Sequence, residues 1–161
     1  MRTNAPEPQL DAIDRAILEA LQADGRISNQ DLAARVHLSA SACLRRVRAL
    51  EEQGVIAGYV ALLNPRAVGQ PGTSFTIINI ESTQPAVRQA FEQAVLATPE
   101  ILDCHYVAGA NDYLVRFTYR DAEDLERFHA EVLARLPGVV RSNSMLVLRT
   151  VKRTTALRLP S

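Results

Sequence analysis

Apolar residues recur on a helical period through the first third of the chain and on a strand period later, and the change falls at the proline- and glycine-rich stretch PRAVGQPGT, residues 65–73. Leu10, Ile13, Ile17, Leu18 and Leu21 share one face of a helix over 11–23. Asp11 suits its N-cap, and Asp14 lies near the positive end of the helix dipole. The segment ADGR at 23–26 breaks it. A second helix starts at Ser28, whose spacing to Asp31 is a capping pattern; it carries Leu32, Ala33 and Val36 and ends near His37. Ser39 caps a third helix, which Gly54 is placed to end. On that helix Cys43, Val47 and Leu50 form one face, Ser41, Arg45, Arg48 and Glu52 form the opposite one, and Arg46 lies at the margin. VIAGYVALLNP then reads as a tight turn and a short strand ended by Pro65, while residues 1–9, with two prolines, read as a flexible lead.

Three short helices and a small strand describe a winged helix-turn-helix over 10–64, a unit whose third helix enters the DNA major groove. After the linker at 65–73, the pattern predicts strands at 74–81, 101–107, 113–119 and 139–151. Helices are predicted at 84–97, with Val87, Phe91 and Val95 on one face, and at 121–136, with Leu125, Phe128, Val132 and Leu136. The order βαββαβ is the ferredoxin-like split unit, here over 74–161, so the fold class is α+β. The middle strands carry apolar residues on both faces. Two helices cover only one face, so the open face implies a second copy of the chain.

Composition narrows the chemistry. Hydrophobic residues make up 47% and charged residues 22%, an ordinary globular balance. No apolar run is long enough to span a membrane, and MRTNAPEPQ lacks the apolar core of a secretory signal, so the expected compartment is the cytoplasm. Cys43 and Cys104 lie in different apolar segments and read as reduced, buried thiols. The three histidines lack paired ligand spacing, so no metal site is expected. No serine–histidine–aspartate set, carboxylate pair or glycine-rich phosphate loop is present, so no catalytic residues are assigned. The chain balances 18 basic against 18 acidic residues, yet Arg45, Arg46 and Arg48 crowd one short helix. Two readings stand at this point: a solvated face with pairs such as Arg48–Glu52, or a local patch that meets an anion.

The residues now carry a resemblance. LDAIDRAILEALQADGRISNQDLAARV at 10–36 and LSASACLRRVRALEEQGVIAGYVALLNP at 38–65 resemble the N-terminal domain of the Lrp/AsnC, or feast/famine, transcriptional regulators. CHYVAGANDYLVRF at 104–117, RLPGV at 135–139 and VKRTTAL at 151–157 resemble their C-terminal domain and its ending, and CLRRVR is similar to the leucine-responsive branch. The resemblance implies a regulator that binds a pseudo-palindromic double-stranded operator. It implies a C-terminal domain that assembles into dimers and then tetramers or octamers and binds a small effector, usually an amino acid, between dimers. No cofactor is expected besides that effector.

Under this resemblance Arg45 and Arg48, with Ser41 and the helix start at Ser39 and Ala42, are expected to meet base edges or phosphates. Arg46 is expected at a phosphate, and Ser28, Asn29 and Gln30 at the DNA backbone. The effector loop matches Val107, Ala108, Gly109, Ala110, Asn111, Asp112 and Tyr113, where Gly109 and Asp112 correspond to the family's recurrent glycine and aspartate. Ser142 and Ser144 on the last strand are expected to contribute hydroxyls. Asp112 either meets the ammonium of the effector or simply satisfies backbone N–H groups in a turn. Two positions depart from the family. The turn usually written VGLS reads VHLS, which predicts His37 in the left-handed region. The third helix starts Ser39-Ala40 where proline is usual, which keeps the cap but loses pre-organisation. The alternative function on the same scaffold is a sirohaem-type decarboxylase, with His105 as its candidate histidine.

Overall fold

The computed structural model describes residues 9–160. The expected flexible lead at 1–9 lies almost wholly outside the described residues. Packing divides the chain into two units, one formed by the residues up to Ala61 together with the tail from Lys152, the other by Leu62–Val151.

In the first unit, α1 (Ala12–Ala23), α2 (Asn29–Arg35) and α3 (Ala40–Glu52) surround Ile17, Leu32, Cys43 and Leu50, all nearly inaccessible to solvent. Each helix starts where its cap predicts. Asp11 accepts from the Asp14 N–H at 2.8 Å while Asp14 accepts from the Asp11 N–H, a closed capping box. Ser28 accepts from the Asp31 N–H and Ser39 from the Ala42 N–H. His37 has φ of 57°, the only positive value among described non-glycine residues, as the missing turn glycine predicts. That conformation costs an L-residue roughly 1 kcal/mol. It lets the Leu38 N–H reach back to the Ala33 carbonyl at 2.9 Å, which closes α2 and aims the chain into α3.

The segment after α3 corrects an expectation. Gly54 follows the end of α3 as predicted, and the Val55 N–H closes on the Leu50 carbonyl. The predicted wing strand does not form: no described segment hydrogen-bonds to the backbone of 57–63, and Tyr59, Val60, Leu62 and Leu63 stand exposed. A strand exists only through its ladder, so β-prone residues without a neighbour remain merely extended. The predicted linker contains a closed turn, with the Gln70 N–H donating to the Pro65 carbonyl at 2.8 Å. The tail from Lys152 packs with the first unit. The Gln22 side-chain amide exchanges hydrogen bonds with both backbone groups of Leu157, and Leu159 joins the α1–α3 core.

The second unit is an antiparallel sheet in the order β2-β3-β1-β4. The strands are β1 (Gly72–Ile80), β2 (Ile101–Tyr106), β3 (Tyr113–Tyr119) and β4 (Val139–Leu146), with α4 (Pro85–Leu96) and α5 (Ala122–Arg127). This is the predicted α+β, ferredoxin-like arrangement. Strand alternation sends Ile78, Tyr113, Val115 and Phe117 to the buried face, against Phe91 of α4 and against Phe128, whose ring stacks on Phe117 at 3.8 Å between centroids. Phe75, Ile77 and Leu114 occupy the other face and are only half-buried.

The predicted single helix over 121–136 is broken. After α5 the chain makes a π turn at Phe128–Val132 and a 3-10 turn at Leu133–Arg135. The wider turn brings Phe128 and Leu133, five residues apart, onto one face, so Leu133 takes the fully buried place expected for Val132. Gly138 then makes the return to β4: its φ is 71°, and a Cβ there would sit 2.8 Å from a Val87 methyl. Asp124 anchors the start of α5. It accepts from the Arg120 N–H and from both Arg120 and Arg127 guanidiniums, which hold its carboxyl down at about 2. Both cysteines are free thiols; burial raises that of Cys43, and burial and then Glu92 raise that of Cys104 to about 11. No described helix is long and apolar enough to cross a membrane.

Candidate nucleic-acid interface and effector site

The three arginines of α3 have separate fates. Arg46 reaches back to α1, its guanidinium 2.8 Å from Asp11 and 2.7 Å from Asp14. The expectation that Arg46 serves a phosphate is therefore corrected: both carboxylates of the α1 capping box neutralise it and tie the two helices together. Arg45 and Arg48 are exposed and form no ion pair among the described residues, so the Arg48–Glu52 pair of the solvated-face reading is absent among them. With Ser41, Leu44, Ala49 and Glu52 they line an open groove of about 330 Å³ along α3. Leu44, which belongs to neither of the two predicted faces, stands on this one; its signal in the sequence is an apolar residue beside the charged stripe and outside the Cys43–Val47–Leu50 stripe.

The remaining predicted residues separate in the same way. Asn29 does not present its amide outward but donates it to the Ala40 carbonyl at 2.9 Å, fixing the first turn of α3 against that of α2. The Ser28 hydroxyl is held between the Asp31 N–H and carboxylate, and Ser39 caps Ala42, so the Ala42 N–H is already used. Gln30 is exposed. The outward chemistry of the unit is thus Gln30 on α2 and Ser41, Leu44, Arg45 and Arg48 on α3, whose start is fixed by the Asn29–Ala40 bond and the Ser39 cap.

The Arg46 clamp has a measurable consequence. Asp11 is held below its ordinary value, first by the Asp14 N–H and then by Arg46. A lowered native value means a contribution that is whole above the ordinary carboxylate range and is lost as pH falls through that value. Arg46→Met is expected to lower the melting midpoint by about 3 °C at pH 7, with solvent screening limiting the effect. Melts repeated near pH 3 should show the difference shrinking.

The second candidate site is the loop between β2 and β3. The Val107 N–H donates to the Asp112 carbonyl at 2.9 Å and closes the loop, and the Asp112 N–H donates to the Ile78 carbonyl. The Asn79 amide holds the Ala110 carbonyl. Gly109 sits at φ of 137°, where a side chain is strained. Ala108, Gly109 and Ala110 are exposed at the tip, while Asn111 and Asp112 are half-buried at its base. Asp112 Oδ2 accepts from the Ile80 N–H at 3.0 Å, so the turn-carboxylate role is realised for that oxygen.

One expectation for this site is corrected. Tyr113 does not face the loop: its ring is buried against Phe91, its hydroxyl donates to Glu92 at 2.8 Å, and burial and Glu92 raise its phenol. Residues on the helix-facing side of a strand point into the core, and Tyr113 begins that series. Ser144 is likewise engaged, with its oxygen 2.7 Å from the Thr76 hydroxyl and 3.2 Å from His129 Nε2. Ser142, paired with Ile78, is exposed. The Asp112 N–H bonds that same Ile78, so the loop and the start of β4 share one end of the sheet. Among the described residues no cluster of three metal-ligating side chains occurs.

Residues 10–57 match the family model of a winged helix-turn-helix DNA-binding domain, and residues 73–157 match that of the Lrp/AsnC ligand binding domain. The chain is 43% identical over 152 residues to the leucine-responsive regulatory protein of Escherichia coli K12, covering 94% of this chain and 93% of that one. Its fold is similar to a transcriptional regulator from Neisseria meningitidis solved with L-methionine, at a TM-score of 0.89 and 36% identity, covering 93% and 97% of the two chains. It is also similar to the feast or famine regulatory protein of M. tuberculosis complexed with L-methionine, at 0.84 and 33%, covering 94% and 100%. These relatives are named as regulators; none bears the name of the tetrapyrrole decarboxylase that was the alternative reading.

Proposed function

This chain belongs to the Lrp/AsnC family of DNA-binding transcriptional regulators, and from that premise we propose that α3 reads operator DNA in the major groove while an amino acid held at the 107–112 loop alters that reading. The observation that carries the DNA-binding half is the contrast within α3. Arg46 is consumed by two carboxylates, whereas Arg45 and Arg48 stand on the outer face with no ion pair among the described residues. An unpaired guanidinium pair on a neutral protein makes a local positive patch, which suffices for phosphate and base contacts.

The effector half rests on the loop. Its tip is exposed, its base is fixed by bonds to β1, and Asp112 places one charge there. The methionine complexes of the two relatives support an α-amino acid as the ligand class. Assembly into dimers, and from these into tetramers or octamers with the effector between dimers, is supported by the half-buried apolar face of β1 and β3. Such a regulator works in the cytoplasm on a pseudo-palindromic operator, and its effector changes affinity by linkage between the two sites.

A thermal-shift screen over the amino acids tests this reading. A ligand that binds only the folded state stabilises it by about 2.7 kcal/mol at a hundred times its Kd. One amino acid, or a few of similar shape, should raise the midpoint and shift operator affinity over the same concentration range. If none does so at millimolar concentration, the effector assignment fails.

A further inference from the structure

We propose that Leu44 is a base-reading residue of α3, whose methyl groups meet the 5-methyl of a thymine in the major groove. The inference deepens the DNA-binding reading above and rests on it. Leu44 is 39% exposed, and it takes no part in the α1–α3 core that its neighbours Cys43 and Val47 join. One exposed leucine on a protein surface is ordinary. This one is distinguished by its surroundings. Residues three and four apart are neighbours on a helix, so Ser41 and Arg48 flank Leu44, and with Arg45 they line the same open groove.

Arg45 and Arg48 have no ion pair among the described residues and outnumber Glu52, the one carboxylate lining the groove, so charge complementarity points to an anion as its occupant. A leucine gains nothing from phosphate or from the polar edges of guanine, cytosine and adenine. Thymine alone presents a methyl group in the major groove. Leu44 is the fifth residue of α3, within the half of a recognition helix that meets base edges. The Asn29–Ala40 bond and the Ser39 cap fix that half in place, so the leucine is held at a set depth beside the two guanidiniums.

The test uses the full chain. Binding sites are selected from a random duplex library with the wild-type protein. Each thymine of the selected half-site is then replaced singly by uracil, which removes only the methyl group. Affinities are measured by fluorescence anisotropy at one fixed salt concentration. Wild type should lose about fourfold in affinity at one thymine of each half-site, the worth of one buried methyl group. Leu44→Ala should bind the thymine and uracil duplexes equally at that position, and Leu44→Met should keep the preference. If Leu44→Ala discriminates as wild type does, the assignment of Leu44 is overturned while the DNA reading stands. If wild type recovers no preferred sequence, both are overturned.

Discussion

Replacing Arg45 and Arg48 together by alanine is expected to weaken operator binding by about 100-fold or more, since each well-aligned arginine–base contact is worth roughly 1–3 kcal/mol. The structure sharpens this expectation by removing Arg46 from the set. Neither Arg45 nor Arg48 supports the fold: both are exposed and neither holds a carboxylate among the described residues. The double variant should therefore melt as wild type does, so that lost binding cannot be assigned to lost folding. Filter or anisotropy titrations at several salt concentrations separate the two roles. Contacts to bases make the loss fall on the operator and spare random DNA. Contacts to phosphate weaken both and reduce the salt slope by about 1 per arginine. Unchanged operator affinity would remove α3 from the groove. Arg46→Met should give the opposite signature, a lowered midpoint with little change in the salt slope.

Asp112→Asn should abolish the amino-acid response and leave basal operator binding intact. The pair of substitutions Asp112→Asn and Asp112→Ala is informative because the carboxylate has a structural duty. Its Oδ2 accepts the Ile80 N–H, and its backbone joins the loop to β1 and closes the loop on Val107. Asparagine retains an acceptor for that N–H and removes only the charge. Alanine removes both and leaves a partly buried N–H unpaired, at a cost of about 1–3 kcal/mol. If the carboxylate meets the effector's ammonium, asparagine should lose the ligand-induced thermal shift with no change in the apoprotein's midpoint. Alanine should lose the shift and also melt earlier. A normal ligand shift in Asp112→Asn would confine Asp112 to its turn.

The helix-turn-helix was legible because its signals are local. Caps act within three residues, so Asp11, Ser28 and Ser39 marked the helix starts where they stand. The left-handed His37 followed from one missing glycine, because the turn constrains φ regardless of what packs on it. The ferredoxin-like order followed from periodicity. Illegible were the features that depend on residues far apart in sequence. Helical periodicity puts Arg46 at the margin of α3 but carries no sign that Asp11 and Asp14 lie within its reach. Asn29 gave the same signal as any exposed amide, although its bond runs to Ala40. Tyr113 and Ser144 matched the expected effector pattern, but strand alternation and the Glu92, Thr76 and His129 contacts direct them inward.

By itself, the sequence determined the element types, their order and the two-part architecture, since periodicity and capping are written into neighbouring residues. It also determined that positive charge would gather on α3. Only the tertiary structure decided which of those charges are available. An arginine's role depends on whether a carboxylate lies within reach, and that is set by how α1 crosses α3, not by spacing along either helix. The same holds for the wing. The chain supplied the β-prone Tyr59 and Val60, but a strand needs a second backbone beside it, and none of the described chain provides one.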